Sequence, residues 1–149
     1  MSIIDTLERL LVPGRRSARQ VDLKEIYCKR KDPGYLKRFR TAAVGTAYRN
    51  VDGSERQQAL ESLKAGQRLR LVWDMRKENK ILLLKGGGGA QLDISNCIGR
   101  LNDKVAAEVL RGVSQETQVP TARVAKITGG TRKRPKLGCV VEVSIYPAT

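Results

Sequence analysis

Residues 50–57, Asn-Val-Asp-Gly-Ser-Glu-Arg-Gln, follow an apolar run at 41–48 and precede a stretch at 58–63 with helical character. The Asp-Gly pair predicts a tight turn, because glycine adopts positive φ without steric cost. Ser54 is the expected N-cap of the helix, and Gln57, three residues later, is expected to complete a capping box. These residues therefore predict a strand, a tight turn and a capped helix, in that order.

The chain is strongly basic for its size. Its 149 residues include 29 Lys and Arg against 15 Asp and Glu, which gives a formal net charge of +14. Such an excess favours a polyanionic partner, and nucleic acid is the first candidate. An anionic membrane surface, a ribosome-like assembly and a basic domain without a polyanionic partner are the alternatives.

The composition disfavours catalysis and metal binding. The chain has no histidine, so it lacks the commonest general base and the commonest zinc ligand. The acidic residues Asp74, Glu78 and Asp93 show no paired spacing, so we expect neither an enzyme nor a bound metal or cofactor. The 3 cysteines show no C-x-x-C spacing, which indicates a reducing compartment and buried, unreactive thiols.

No targeting or membrane segment is expected. The first twelve residues carry Asp5 and Glu8, which argues against a signal peptide. No apolar run approaches the ~20 residues that a membrane span needs. We therefore expect a cytoplasmic protein with no membrane partner.

Residues 1–40 are interpreted as a separate N-terminal segment, followed by a barrel domain at 41–149. Apolar residues at helical spacing predict a short amphipathic helix that ends before Pro13. The apolar face of this helix is expected either to pack on its own domain or to contact a second copy of the chain, as a homodimer, or another protein. Residues 15–40 are the most basic stretch and interleave Tyr27, Tyr35 and Phe39 with the cations. This pattern is typical either of a grip on single-stranded nucleic acid or of a solvated linker. The apolar residues of the predicted helix are Ile3, Ile4, Leu7, Leu10 and Leu11.

The remaining chain is expected to be mainly β with helices. Residues 67–74 alternate as a half-buried strand should, and 81–84 form a short apolar strand, with a glycine-rich hairpin loop at 85–90. The next predicted elements are a strand at 91–95 and a helix at 102–111, which Gly112 is expected to end. Two further strands are predicted at 119–128 and 138–146. Short strands separated by turns predict a small closed barrel.

Four sequence marks resemble the HIRAN domain in its stand-alone bacterial form. They are Ala-Val-Gly at 43–45 running to Gln57, the Leu-x-x-Gly-x-x-Leu-x-Leu run at 63–71, Ile-Gly-Arg-Leu at 98–101 before a helix, and residues 124–130 with Leu-Gly at 137–138. The resemblance implies a modified OB-like barrel of about six strands with two helices. It also implies single-stranded nucleic acid as partner, DNA more than RNA, in repair or replication restart.

The resemblance and the charge together assign the candidate binding residues. Tyr48, at the end of the first strand, is expected to stack on a base, and a tyrosine buried in the core is the alternative. The family's N-P-x-D-x-N-A stretch is shortened here at 74–80, so we expect weak dependence on a free 3′ end. A non-enzymatic adaptor that acts through the N-terminal helix is the alternative function. The candidate nucleic-acid-binding residues are Tyr48, Arg49, Arg100, Lys126, Arg132, Lys133, Arg134 and Lys136.

Overall fold

The computed structural model describes residues 20–22, 34–74, 80–86 and 93–147. The predicted N-terminal helix, most of the basic segment and most of the glycine-rich loop lie outside these residues. The strands are β1 (Gln20–Asp22), β2 (Lys37–Ala42), β3 (Arg68–Asp74), β4 (Lys80–Lys85), β5 (Cys97–Arg100), β6 (Gln118–Thr128) and β7 (Gly138–Pro147). The helices are α1 (Arg56–Glu61) and α2 (Asp103–Ser114), and a short 3-10 helix spans Ile94–Asn96.

The strands form one antiparallel sheet in the order β2-β7-β6-β3-β4-β5, with β1 paired to β3. The sheet curls into a half-barrel, so the predicted barrel-like, mainly β architecture with two helices is confirmed at this level. Just past β2, Val44 pairs with Arg100 of β5 through two backbone hydrogen bonds of 2.8 and 2.9 Å. The first and last strands of the curl therefore meet at this point.

The inner face of the curl holds the main core. Leu69 and Leu71 of β3 lie in it, and Trp73 packs against it, as the predicted alternation requires. The helix α2 contributes its buried face, whose Ala106, Val109, Leu110 and Val113 recur at helical spacing. On the opposite face of β3 and β4, Val72 and three other buried residues form a second, smaller cluster: Leu82, Leu84 and Cys97.

Several predicted boundaries are wrong. The strand expected at 41–48 is β2, which begins at Lys37 and ends at Ala42, so it crosses the boundary placed between residues 40 and 41. Residues 94–96 form a 3-10 helix where a strand was expected. Gly112 does not end α2 but lies inside it, where the Gln118 side chain approaches so closely that a Cβ would collide with it.

The predicted capping box at α1 is also wrong. The N-cap is Glu55, and no side chain caps the helix. Ser54 instead hydrogen-bonds to Asp52, because the Asp52 carboxylate accepts from both the backbone N–H and the hydroxyl of Ser54, at 2.9 and 2.5 Å. These bonds lower the pKa of Asp52, the Ser54 hydroxyl contributing most. The Asp-Gly turn itself is present, with Gly53 at φ 86°.

Candidate nucleic-acid interface

The turn at residues 45–48, called the Tyr48 turn below, is held by buried and half-buried polar side chains. Arg56 donates to the Gly45 carbonyl and to the Asn50 side chain, both at 2.9 Å. Asn50 is buried and donates to Ser54 Oγ at 3.1 Å and to the Cys97 carbonyl at 3.3 Å. The 50–57 motif therefore fixes the backbone of this turn from the inside.

Tyr48 is exposed on this fixed turn, with one edge of its ring beside Gly45. Its backbone N–H donates to the Gly45 carbonyl at 3.2 Å, and 69% of the residue is exposed. A large apolar ring at this exposure is free to stack on a planar partner. Neighbouring Arg49 is also exposed and forms an ion pair with Glu55 at 3.0 Å. A surface ion pair of this kind contributes little stability.

The basic loop, residues 129–137, connects β6 to β7 and carries four exposed cations. None of these cations forms an ion pair with another residue in the described part of the chain. The two ends of the loop lie close together, because Gly129 adopts φ 78° and packs directly against the Lys136 carbonyl. The loop therefore exposes four positive charges within a tightly closed hairpin. These cations are Arg132, Lys133, Arg134 and Lys136.

Gln57 connects the Tyr48 turn to the basic loop. Its Nε2 donates to the Thr46 carbonyl at 3.0 Å and to the Leu137 carbonyl at 2.9 Å. Its Oε1 accepts from the Leu137 backbone N–H at 2.8 Å. One amide thus bonds to the backbone of both segments, so the turn that carries the exposed ring lies next to the base of the cationic loop.

Two other candidate residues are not bonded to Gln57. Arg100 has a side chain only 25% exposed, and its guanidinium donates to Asp103 at 2.9 Å and to the Leu101 carbonyl at 3.4 Å. Ion pairing with Lys80 and Arg100, chiefly the hydrogen bond from Lys80, lowers the pKa of Asp103. Lys126 is exposed on β6, where it lies opposite Val140 and therefore near the base of the basic loop.

The aromatic residues of the basic segment do not share one face. Phe39 is half-buried and packs against the core, with the Lys37 ammonium 5.1 Å from its ring centroid. Tyr35 is 52% exposed, and the Arg38 guanidinium stacks 4.0 Å from its ring centroid. Tyr27 lies outside the described residues. The single exposed ring in the group held by Gln57 is therefore Tyr48.

Sequence reasoning missed Gln57 and Arg56 as residues that organise this surface. Both were read within a local turn-and-helix pattern, but their partners Gly45, Thr46 and Leu137 are not predictable from that pattern. The bonds to Leu137 span 80 positions of the chain. No local signal identifies such a contact.

In the described part of the chain, no group of three or more His, Cys, Asp and Glu side chains could hold a metal ion. No helix there combines the length and apolar character that crossing a membrane requires. Comparisons with protein-family models, curated proteins and solved structures found no match to this chain.

Proposed function

We propose that this chain is a non-enzymatic module of the HIRAN type, with an OB-like barrel, that binds single-stranded nucleic acid. The observation that carries the proposal is the connection through Gln57 of an exposed ring to a loop of exposed cations. Single strands are held by this combination, since cations follow the phosphates while rings stack on bases of any identity.

The charge arrangement supports a backbone contact with little sequence preference. The cations of the basic loop are exposed and have no acidic partner in the described residues, so phosphate oxygens can reach them without displacing an ion pair. Phosphate contacts of this kind supply affinity but carry no sequence information. DNA in repair or replication restart is the context that the HIRAN resemblance favours.

A panel of fluorescently labelled oligonucleotides tests this function by anisotropy. We expect single strands to bind more tightly than duplex, because only unpaired bases offer a free face to Tyr48. A 3′-phosphate block should change the affinity little, because the sequence at 74–80 lacks the proline of the family's end-recognition stretch. Failure to bind any oligonucleotide at low salt would contradict the proposal and favour the adaptor function.

A further inference from the structure

A row of arginines crosses four strands on the outer face of the sheet. In the register, Arg40 of β2 lies opposite Glu142 of β7, Glu142 lies opposite Arg123 of β6, and Arg123 lies opposite Arg68 of β3. Directly opposed residues place their side chains on the same face of a sheet. Val141 and Val143, which flank Glu142 in β7, belong to the main core. Since side chains alternate along a strand, Glu142 and the row lie on the other face of the sheet.

Glu142 organises the guanidiniums around it. Its side chain is only 9% exposed, and Arg123 contacts its Oε1 at 2.7 and 2.9 Å. Arg38 and Arg40 approach the same carboxylate at 3.4 and 3.7 Å, and Arg38 also donates to Ser144 at 2.8 Å. The hydrogen bond from Arg123, with the charges of all three arginines, lowers the pKa of Glu142.

The positive charge of this face is far from neutralised. Arg38, Arg40 and Arg123 share the one carboxylate of Glu142 as their acidic partner. The Arg68 side chain has no ion pair or hydrogen bond with any described residue. Arg40 and Arg123 remain 65% and 52% exposed. These four arginines, called the arginine row below, therefore form a set of guanidiniums that outnumbers its acidic partners, and a guanidinium matches phosphate oxygens bidentately.

Lys126 connects the arginine row to the basic loop. It shares the outer face with Val140, which pairs with Ala42 of β2, so it lies between the level of Glu142 and the end of the hairpin. Adjacent strands are about 4.8 Å apart, so the row from Arg40 to Arg68 spans about 14 Å. That is the length of about four nucleotides at 3.4 Å per residue of a stacked strand.

We propose that a single strand of nucleic acid bound at the Tyr48 turn and the basic loop continues past Lys126 and across the arginine row. The row holds the phosphates of this second segment, while a base of the first segment stacks on Tyr48. This inference rests on the proposed function and extends its surface to a second face of the sheet.

The test compares two oligothymidylates, one of about four and one of about twelve nucleotides, near the limits of site sizes for OB folds. The variant Arg40→Gln/Arg68→Gln removes two guanidiniums and spares the two shortest contacts to Glu142. We expect it to weaken binding of the longer strand on the order of tenfold and to flatten its salt slope by ~1.4, with the shorter strand unaffected. Arg68→Gln alone, which breaks no bond among the described residues, should show about half the change in slope.

The matched control is Lys104→Gln/Arg111→Gln. These exposed cations lie on α2, whose buried residues pack on the inner face, and their removal lowers the net charge equally. An equal loss in this control would overturn the inference, because charge alone would explain it. Equal weakening of both strand lengths, or no change for the longer strand while the basic-loop variants still weaken binding, would also overturn it. If the wild type binds neither strand, the proposed function fails with it.

Discussion

At the scale of single residues, the Gln57 side chain has the most consequences for the candidate site. Its amide makes three hydrogen bonds to the backbones of two loops, and in the described part of the chain Thr46 and Leu137 form no backbone hydrogen bond with each other. A half-buried amide in this position stabilises both loops and fixes their separation. Removal of the amide leaves half-buried backbone groups of Thr46 and Leu137 without these hydrogen bonds, which costs more than the bonds themselves contributed.

We therefore expect Gln57→Ala to lower the free energy of unfolding by ~1–3 kcal/mol. Gln57→Glu is the matched control for size, and it keeps the acceptor for the Leu137 N–H but loses the donor to two carbonyls. It should also destabilise the protein at neutral pH, because a carboxylate would face the Thr46 and Leu137 carbonyls. Urea unfolding measures both, and wild-type stability in both variants would show that Gln57 does not join the loops.

At the scale of elements, the β6–β7 hairpin depends on the backbone at its base. Gly129 has φ 78°, and a Cβ there would collide with the Lys136 carbonyl. Gly66 has a similar φ of 87°, but a Cβ there would meet nothing within 4 Å. The two positions therefore separate the penalty of a left-handed backbone from the penalty of a steric clash.

Gly66→Ala should cost about 1 kcal/mol, the penalty of a left-handed non-glycine residue. Gly129→Ala should cost clearly more, because the hairpin must also open to accommodate the methyl group. Chemical denaturation of the two variants side by side measures the difference. Equal losses would mean that the base of the basic loop relaxes freely, and its closed geometry would then not matter.

The elements also show which parts of the fold the sequence can predict. The strands β3, β4, β6 and β7 were predicted because their apolar residues alternate or run continuously. The strand β2 was placed too late, because Lys37, Arg38 and Arg40 are exposed and only Phe39 and Thr41 are half-buried. A strand with so weak a burial pattern is defined by its pairing with β7, which the local sequence does not encode.

The same limit applies to the sites. The exposed cations of the basic loop follow from its Gly- and Pro-rich composition, and their exposure was predicted. The arginine row could not be predicted, because Arg40, Glu142, Arg123 and Arg68 meet only through the registers of three strand pairs. Alternation did predict that Arg68 lies on the other face of β3 from the core residue Leu69. It could not predict which residues of neighbouring strands lie beside Arg68.

At the scale of the whole molecule, charge and architecture act together. A net charge of +14 would attract any polyanion, whatever the distribution of the cations. The curled sheet orders these cations, because Lys126 lies on its outer face between the arginine row and the β6–β7 hairpin end that carries the basic loop. The Tyr48 turn, joined to the loop by Gln57, adds an exposed ring beside the basic loop. The account therefore predicts separable contributions from charge and from stacking.

The salt dependence of single-strand binding, measured by anisotropy, tests this central claim most directly. With about five phosphates neutralised, log K should fall with log salt at a slope of roughly −3.5. Arg132→Ala/Lys133→Ala/Arg134→Ala should flatten the slope by up to ~2, whereas Tyr48→Ala should weaken binding by ~1–3 kcal/mol at an unchanged slope, because stacking releases no counterions. A slope that the loop variant leaves unchanged, or wild-type affinity in Tyr48→Ala, would contradict the account.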